Sequence, residues 1–208
     1  MNEALSIAIA IASAYLLGSI PSAYIVGRLK KGVDIRQIGS QNMGAMNTFY
    51  KVGITSGLLV LTVDISKGAA AVALARWLGV PPIIEMLAGT SAVIGHGFPV
   101  WLNFRGGKGG ATLIGVLFFF MPWAIPIGLA VFGLLLLLTR FPTLSYSIAL
   151  ICFPFIAWLI YHHGDYVVFS LLLCLIPLIK YIPRIKEMRA KTTSWRRLVL
   201  RKNLKDRF

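Results

Sequence analysis

Residues 111–139 read ATLIGVLFFFMPWAIPIGLAVFGLLLLLT, a stretch without a charged side chain. A helix needs roughly 20 apolar residues to cross about 30 Å of hydrocarbon at a rise of 1.5 Å per residue. This stretch is longer than that, but Pro122 and Pro126 lie near its middle, where proline interrupts helical hydrogen bonding. One long helix is possible, and the two prolines favour two shorter helices that meet at a turn.

The whole chain has the same apolar character. Of its 208 residues, 57% are hydrophobic and only 13% are charged, and the mean hydropathy is +0.78. Soluble domains carry about 25% charged residues, so this composition excludes a soluble globular domain, and the scarcity of charges excludes a disordered chain. Cys152 and Cys174 lie in apolar runs without a CxxC pattern, which indicates buried small side chains and not a disulfide or a metal site.

The apolar segments predict an all-α integral membrane protein. Besides the two halves of residues 111–139, the spans are Ala4–Gly27, about Gly53–Leu78, Ile83–Phe104, Leu144–Tyr161 and Tyr166–Ile182. This gives about seven transmembrane segments, some of them short. We expect one helical transmembrane domain over residues 1–182 and a basic cytoplasmic tail over residues 183–208.

The distribution of Lys and Arg predicts the orientation of these spans. Basic residues follow the first, third and fifth spans, and the stretch from Lys180 onward holds eleven Lys and Arg against Glu187 and Asp206. The opposite ends carry mainly acidic residues and histidines, with Arg76 as the one basic residue near them. Because basic loops stay in the cytoplasm, we expect the N-terminus outside and the C-terminus inside, in a bacterial inner (plasma) membrane.

The tail predicts contact with lipid and not with nucleic acid. Its Trp195-Arg-Arg-Leu198 sequence suits anionic headgroups, where each cation contributes about 1 kcal/mol. No recognition fold for nucleic acid is evident in the sequence.

The segment Gly39-Ser40-Gln41-Asn42-Met43-Gly44-Ala45-Met46-Asn47 is unusually polar for a chain this apolar. Its glycines let the backbone approach a ligand and turn its N–H groups inward, and Ser40, Asn42 and Asn47 add neutral donors that could stabilise an oxyanion. The alternative is a capped helix start with Ser40 or Asn42 as the N-cap. The two interpretations are compatible, because a helix N-terminus also binds anions.

A second polar segment runs from Gly95 to Gly110 and contains Arg105-Gly106-Gly107-Lys108-Gly109-Gly110. Four glycines around Lys108, with Arg105 adjacent, predict a backbone nest with two fixed positive charges, suited to phosphate. A flexible turn that obeys the positive-inside rule is the alternative. A Walker A loop is excluded, since Lys108 is followed by Gly and not by Ser or Thr.

Asp64, Lys67 and His96 lie well inside the predicted spans, away from their ends. His96 precedes the basic turn and either is only hydrogen-bonded or titrates beside a phosphate. Asp64 and Lys67 are three residues apart on one helical face, where ionisable groups are costly and often functional, although the two side chains can also satisfy each other.

These segments, in this order, resemble the bacterial acyl-phosphate:glycerol-3-phosphate acyltransferase family. The matching residues are Tyr15-Leu-Leu-Gly-Ser-Ile-Pro21, the Gly39–Asn47 segment, Asp64-x-x-Lys67-Gly68, and Gly95-His96-x-Phe98-Pro99 through Gly106-Gly107-Lys108-Gly109-x-Ala111-Thr112. The resemblance implies transfer of an acyl group from a long-chain acyl phosphate to the sn-1 hydroxyl of glycerol 3-phosphate, giving lysophosphatidic acid and inorganic phosphate. It implies no metal or dissociable cofactor, and a monomer is expected.

The resemblance also assigns the site. Its catalytic residues would be Ser40, Lys108 and His96. Binding of substrate and phosphate would fall to Gly39, Asn42, Gly44, Asn47, Lys51, Arg105, Gly106, Gly107 and Gly109. In the family a phosphate oxygen of a substrate serves as the base.

The chain departs from the family pattern at several positions. Gln41 replaces a glycine, Met46 replaces a threonine, and Tyr50 stands where a substrate-binding arginine is usual. Lys51 is the nearest replacement for that arginine, although lysine lacks the bidentate grip of a guanidinium on phosphate. After the last span, Pro183 and Lys186 replace a histidine and an asparagine.

Two other functions are compatible with the sequence. The departures suit a paralogue that has a different acceptor or acts as a binder or regulator. Interrupted helices and glycines also form anion sites in transporters of organic phosphates. Against transport, the donor-rich segments all fall on one predicted side and no inverted repeat is evident.

Overall fold

The structure of the protein, a computed structural model, describes residues 2–191, without the side chains of Thr143, Arg184, Met188 and Lys191. The predicted lipid-binding segment around Trp195 lies outside the described residues. The chain divides into two compact units, one ending at Phe120 and the other beginning at Met121. Every regular element in the described part is helical, as the composition predicts.

The first unit contains six α-helices and a short 3-10 turn. They are α1 (Glu3–Ser19), α2 (Ser22–Lys31), α3 (Ala45–Lys51), α4 (Ile54–Trp77), α5 (Pro82–Gly97), the 3-10 turn Val100–Leu102 and α6 (Gly110–Phe120). Helix α1 packs against α4 and α5, and α4 also packs against α6. Their shared core is built from small side chains, among them Ala14, Ala71 and Ala92.

Small residues let these helices approach closely. Gly18 is buried, and a β-carbon there would overlap the backbone of Ala92 in α5. Likewise, β-carbons at Gly68 and Gly115 would overlap the carbonyl oxygens of Thr112 and Ile65. Small residues allow such close contact between membrane helices, and Ala14 and Gly18 lie about one turn apart on the buried face of α1.

The span predicted over Ala4–Gly27 lies within the apolar helical stretch Glu3–Lys31, and the structure adds an interruption that was not predicted. Helix α1 ends at Ser19 and α2 begins at Ser22. Pro21 lies between them, and it has no N–H to donate to a carbonyl one turn earlier. At the break, the carbonyl oxygen of Ile20 accepts the N–H of Ser22 at 3.0 Å and a hydrogen bond from Lys67 Nζ at 3.1 Å.

The described part of the second unit, up to residue 191, contains four α-helices. They are α7 (Ala124–Thr139), α8 (Pro142–Ile156), which continues into a π-helical turn (Ala157–Tyr161), α9 (Gly164–Ile179) and α10 (Ile182–Lys191). Pro154 lies just before the π-turn, and proline is a common cause of such local changes in winding. At the α7–α8 turn, Thr139 Oγ1 and Ser145 Oγ lie 3.0 Å apart.

The number and kind of segments agree with the prediction. Within the described residues, four helical stretches are long and apolar enough to cross a membrane: Glu3–Lys31, Ile54–Trp77, Pro82–Leu102 and Leu144–Tyr161. Three shorter apolar helices are Gly110–Phe120, Ala124–Thr139 and Gly164–Ile179. The run 111–139 is thus covered by two helices, α6 and α7, as its prolines favour.

Candidate active site

The Gly39–Asn47 loop is organised around the buried side chain of Asn47. Asn47 Oδ1 accepts a hydrogen bond from the N–H of Ser40 at 3.0 Å. Its Nδ2 donates to the carbonyl oxygens of Ile35, Ile38 and Asn42 at 3.0, 3.0 and 3.1 Å. One amide in the first turn of α3 therefore fixes the path of the loop that precedes the helix.

The backbone of this loop explains its glycine content. Gly39 has φ of 62° and Gln41 has φ of 58°, both in the left-handed region. The N-cap of α3 is Gly44, which has no side chain with which to cap the helix. The alternative of Ser40 or Asn42 as N-cap was wrong, because the loop bonds to Asn47 and the helix begins only at Ala45. The side chain of Ser40 is exposed.

An ion pair stiffens the chain just before the loop. Arg36 binds Asp34 through two hydrogen bonds, Nε to Oδ1 at 3.0 Å and Nη2 to Oδ2 at 2.8 Å. The guanidinium also lies 5.1 Å over the ring of Tyr24. Hydrogen bonding to Arg36 holds the pKa of the buried Asp34 carboxyl below its ordinary value. Arg36 Nη1 lies 3.5 Å from the carbonyl oxygen of Leu102 and so links this region to the 3-10 turn.

The glycine-rich turn is tied to the end of α5. The N–H of Gly106 donates to the carbonyl oxygen of Gly97 at 3.2 Å, and the N–H of Gly107 donates to that of His96 at 3.0 Å. A β-carbon at Gly106 would overlap Pro99, and one at Gly107 would overlap His96 Nε2. Both glycines are therefore required by packing, and their N–H groups already have acceptors.

The rest of the turn has an unusual backbone. Asn103 and Phe104 have φ of 51° and 60°, and Gly109 has φ of 87°. Arg105 is exposed, whereas Lys108 is half-buried and lies two residues before α6 begins at Gly110. The N–H groups in the first turn of a helix lack acceptors within that helix, so Lys108 stands at a place where backbone donors and a positive charge coincide.

The two polar segments meet at Met43 and Gly107. A β-carbon at Gly107 would lie 2.6 Å from the carbonyl oxygen of Met43, so the backbones are in direct contact across more than sixty residues of sequence. Lys51 lies at the end of α3 with an exposed side chain, and its carbonyl oxygen accepts a hydrogen bond from Lys31 Nζ at 2.9 Å. Tyr50 is also exposed.

A buried charged cluster lies behind the turn. Asp64 Oδ1 contacts Lys67 Nζ at 2.8 Å, accepts a hydrogen bond from Ser22 Oγ at 2.7 Å, and lies 3.5 Å from His96 Nδ1. Asp64, Lys67 and His96 are all less than 5% exposed. The prediction that Asp64 and Lys67 satisfy each other is confirmed. The hydrogen bond from Ser22 to Asp64 was not predicted, although the four-residue spacing of Ala14, Gly18 and Ser22 was a signal that Ser22 faces another helix.

The described residues fold into helices, and four helical stretches among them are long and apolar enough to cross a membrane, which defines the class as a multi-pass membrane protein. Residues 8–191 match the family model described as "Glycerol-3-phosphate acyltransferase", and the chain belongs to this family. It is therefore an integral membrane acyltransferase of phospholipid synthesis, and the resemblance stated from the motifs is confirmed.

Relatives and solved structures support the assignment over most of the chain. The chain is 53% identical, over 100% of both sequences, to "Glycerol-3-phosphate acyltransferase 2" of Dehalococcoides mccartyi (strain ATCC BAA-2266 / KCTC 15142 / 195). It is 51% identical to a glycerol-3-phosphate acyltransferase of Bacillus velezensis, covering 67% of this chain and 72% of the relative. It also matches the crystal structure of PlsY, an integral membrane glycerol 3-phosphate acyltransferase, in its glycerol 3-phosphate form, with a TM-score of 0.82 and 28% identity over 89% of this chain and 93% of the other.

Proposed function

We propose that this acyltransferase uses a long-chain acyl phosphate as donor and the sn-1 hydroxyl of glycerol 3-phosphate as acceptor. The hydroxyl oxygen forms a bond to the acyl carbon, and the bond between that carbon and the bridging phosphate oxygen breaks. The hydroxyl proton ends on the departing phosphate. The products are lysophosphatidic acid and inorganic phosphate, and atoms and charges balance without a cofactor.

The observation that carries this proposal is the contact between the Gly39–Asn47 loop and the Gly106–Gly109 turn at Met43 and Gly107. An acyl phosphate is already activated, so the protein needs no covalent nucleophile. Its task is to hold two phosphates and align the hydroxyl, through proximity and electrostatic stabilisation. The two polar loops are in contact and lie beside helices able to cross a membrane. This arrangement suits a site that holds both phosphates and the acyl chain.

We assign the donor phosphate to the lysine-bearing turn. Lys108 neutralises its charge, and Gly109 with the first-turn N–H groups of α6 supplies neutral donors. Arg105 adds long-range attraction from its exposed position. Gly106 and Gly107 serve by letting the turn lie directly on α5, because their own N–H groups bind α5 carbonyls.

We assign the acceptor to the Gly39–Asn47 side of the site. The exposed Ser40 hydroxyl orients the reacting groups, while Gly39, Asn42 and Gly44 shape the backbone around it. Asn47 acts by holding Ser40, since its amide is fully engaged within the loop. Lys51 takes the acceptor phosphate in place of the family's arginine.

The enclosed ring of His96 supports a positioning role for this residue. Its side chain is 4% exposed, with Nδ1 toward Asp64 and Nε2 against Gly107. It therefore supports the turn and does not exchange protons with substrate. We further propose that this site lies on the cytoplasmic side of the membrane, because the loops around it are basic and basic loops stay in the cytoplasm.

A direct assay tests the proposal. Purified protein is incubated with labelled glycerol 3-phosphate and palmitoyl phosphate, and the lipid-extractable product is quantified. We expect product from palmitoyl phosphate and none from palmitoyl-coenzyme A. Lys108→Ala should lose about 10²-fold or more in rate, on the scale of removing an oxyanion donor. The matched control is Lys30→Ala, an exposed lysine on α2.

Two results would overturn parts of the proposal. An equal rate in wild type and Lys108→Ala would remove the turn from the site. If acyl phosphate supports no transfer to glycerol 3-phosphate but does support transfer to another phosphorylated polyol, the acceptor is different. The replacement of the family's arginine by Tyr50 would then explain the change of acceptor. Counterflow of labelled organic phosphate in vesicles, without acyl transfer, would favour a transporter.

A further inference from the structure

The carboxylate of Asp64 connects three helices of the first unit at a single oxygen atom. Lys67 in α4, Ser22 in α2 and His96 in α5 all approach Oδ1, at 2.8, 2.7 and 3.5 Å. A salt bridge between Asp64 and Lys67 would need only α4. The additional contacts to α2 and α5 exceed what charge neutralisation requires.

The cluster is continuous with the glycine-rich turn. His96 links the two, because its Nδ1 lies toward Asp64, its Nε2 lies against Gly107, and its carbonyl oxygen accepts the Gly107 N–H at 3.0 Å. Gly107 is the residue immediately before Lys108. A rotation of the imidazole would therefore displace the backbone next to the lysine assigned to phosphate.

Lys67 ties the same cluster to the helix break. Its Nζ donates to the carbonyl oxygen of Ile20 at 3.1 Å, in the interruption between α1 and α2. The position of Ser22, and with it the hydrogen bond to Asp64, depends on that interruption. The glycine-rich turn and the break between α1 and α2 thus both contact the buried cluster of Asp64, Lys67 and His96.

From these contacts we propose that Asp64 is a positioning residue for acyl transfer. It fixes the imidazole of His96, and through it the Gly106–Lys108 backbone, in the geometry that receives the donor phosphate, while Lys67 balances its charge. Asp64 touches no substrate. This inference rests on the proposed function of the turn.

The test compares two charge-neutral double variants. Asp64→Asn with Lys67→Met removes the central pair without leaving a lone buried charge. Arg76→Met with Glu85→Gln is the matched control, because this ion pair, at 2.9 Å, joins the last turn of α4 to the first turn of α5, away from Asp64 and His96. For each protein, kcat and the KM of both substrates are measured together with the thermal midpoint.

We expect the Asp64/Lys67 variant to lose about tenfold or more in kcat, because small displacements of positioning groups are costly. The KM for glycerol 3-phosphate should stay within about twofold of wild type, since the acceptor contacts remain. The Arg76/Glu85 variant should keep its kcat even where its thermal midpoint falls. A folded Asp64/Lys67 variant with the kcat of wild type would overturn the inference.

A milder variant keeps the inference testable if the double variant does not fold. Ser22→Ala removes only the hydroxyl that binds Oδ1, and Ser13→Ala, on an ordinary turn of α1, is its control. Ser22→Ala should lower kcat severalfold with both KM values unchanged, and an effect equal to that of Ser13→Ala would contradict the inference. If wild type itself makes no product from acyl phosphate, it is the proposed function that fails.

Discussion

Asn47 Oδ1 accepts the backbone N–H of Ser40 at 3.0 Å, across seven residues of sequence. This bond places the exposed serine at a fixed point on a loop that has no regular structure of its own. The nitrogen of the same amide holds three carbonyl oxygens of residues 35–42. From the sequence, Asn47 was expected to bind substrate. In the structure, its amide makes its hydrogen bonds to the loop that carries Ser40.

The first prediction concerns Asn47→Asp. The substitution keeps the acceptor for Ser40 and removes the donor for three carbonyl oxygens, at a site that is 1% exposed. Leaving buried carbonyls without a donor should lower the free energy of unfolding by about 2–5 kcal/mol. Thermal unfolding in detergent measures the change. Asn103→Asp, at an exposed position, is the control, and equal melting of the two variants would contradict the role of Asn47.

The second prediction concerns Gln41, which has φ of 58° where the family pattern has glycine. A side chain in the left-handed region costs roughly 1–2 kcal/mol, and glycine avoids that cost at some expense in unfolded-state entropy. Gln41→Gly should therefore stabilise the protein by up to about 1 kcal/mol. A higher thermal midpoint is the expected readout.

The control for this substitution is Gln37→Gly. Gln37 is exposed on the same loop and lies outside the left-handed region, so glycine there should destabilise the protein through entropy alone. If both substitutions lower the thermal midpoint by the same amount, the strain assigned to Gln41 does not exist.

The third prediction is a pH dependence from Asp34. Because the Arg36 hydrogen bond lowers the pKa of this carboxyl below 3.8, the charged form contributes stability that is complete above the unfolded-state value. That contribution is lost as the pH falls through the folded-state pKa. Wild type should therefore lose stability more steeply than Asp34→Asn below about pH 4. Parallel curves of thermal midpoint against pH would contradict this.

Composition and hydropathy were sufficient to predict the helical membrane fold, because the length of apolar runs depends only on local sequence. The two-helix division of residues 111–139 followed from Pro122 and Pro126. The break at Pro21 was missed, since a single proline in a long apolar run does not reveal whether a neighbouring helix will donate a hydrogen bond to the carbonyl oxygen before it. Here Lys67 does so from α4.

The meeting of the two polar segments was predictable from their motifs, whereas the hydrogen bonds that their residues make were not. Motif order placed Ser40 and Lys108 in one site, and the contact of their segments at Met43 and Gly107 agrees with this. The engaged N–H groups of Gly106 and Gly107 were not predictable, because they depend on the approach of the turn to α5. Tertiary contacts of this kind leave no local pattern in the sequence.

The last prediction concerns the orientation of the spans in the membrane. Arg76 is the one basic residue near the ends of the spans that we expect outside the cytoplasm. Its Nε and Nη2 lie 3.1 and 2.9 Å from Glu85 Oε2, and its guanidinium lies 5.3 Å over the ring of Phe119. The orientation rule counts Lys and Arg, and Arg76 is one residue against the many Lys and Arg at the other end, so we still expect that other end to be cytoplasmic.

Cysteine labelling measures this orientation directly. In a background with Cys152→Ala and Cys174→Ala, His163→Cys and Gln37→Cys place single thiols at exposed positions on the predicted outer and inner sides. A membrane-impermeant maleimide should label His163→Cys in intact cells, whereas Gln37→Cys should react only after permeabilisation. The reverse pattern would place the Gly39–Asn47 loop outside, where a cytoplasmic pool of phosphorylated acceptor could not reach it.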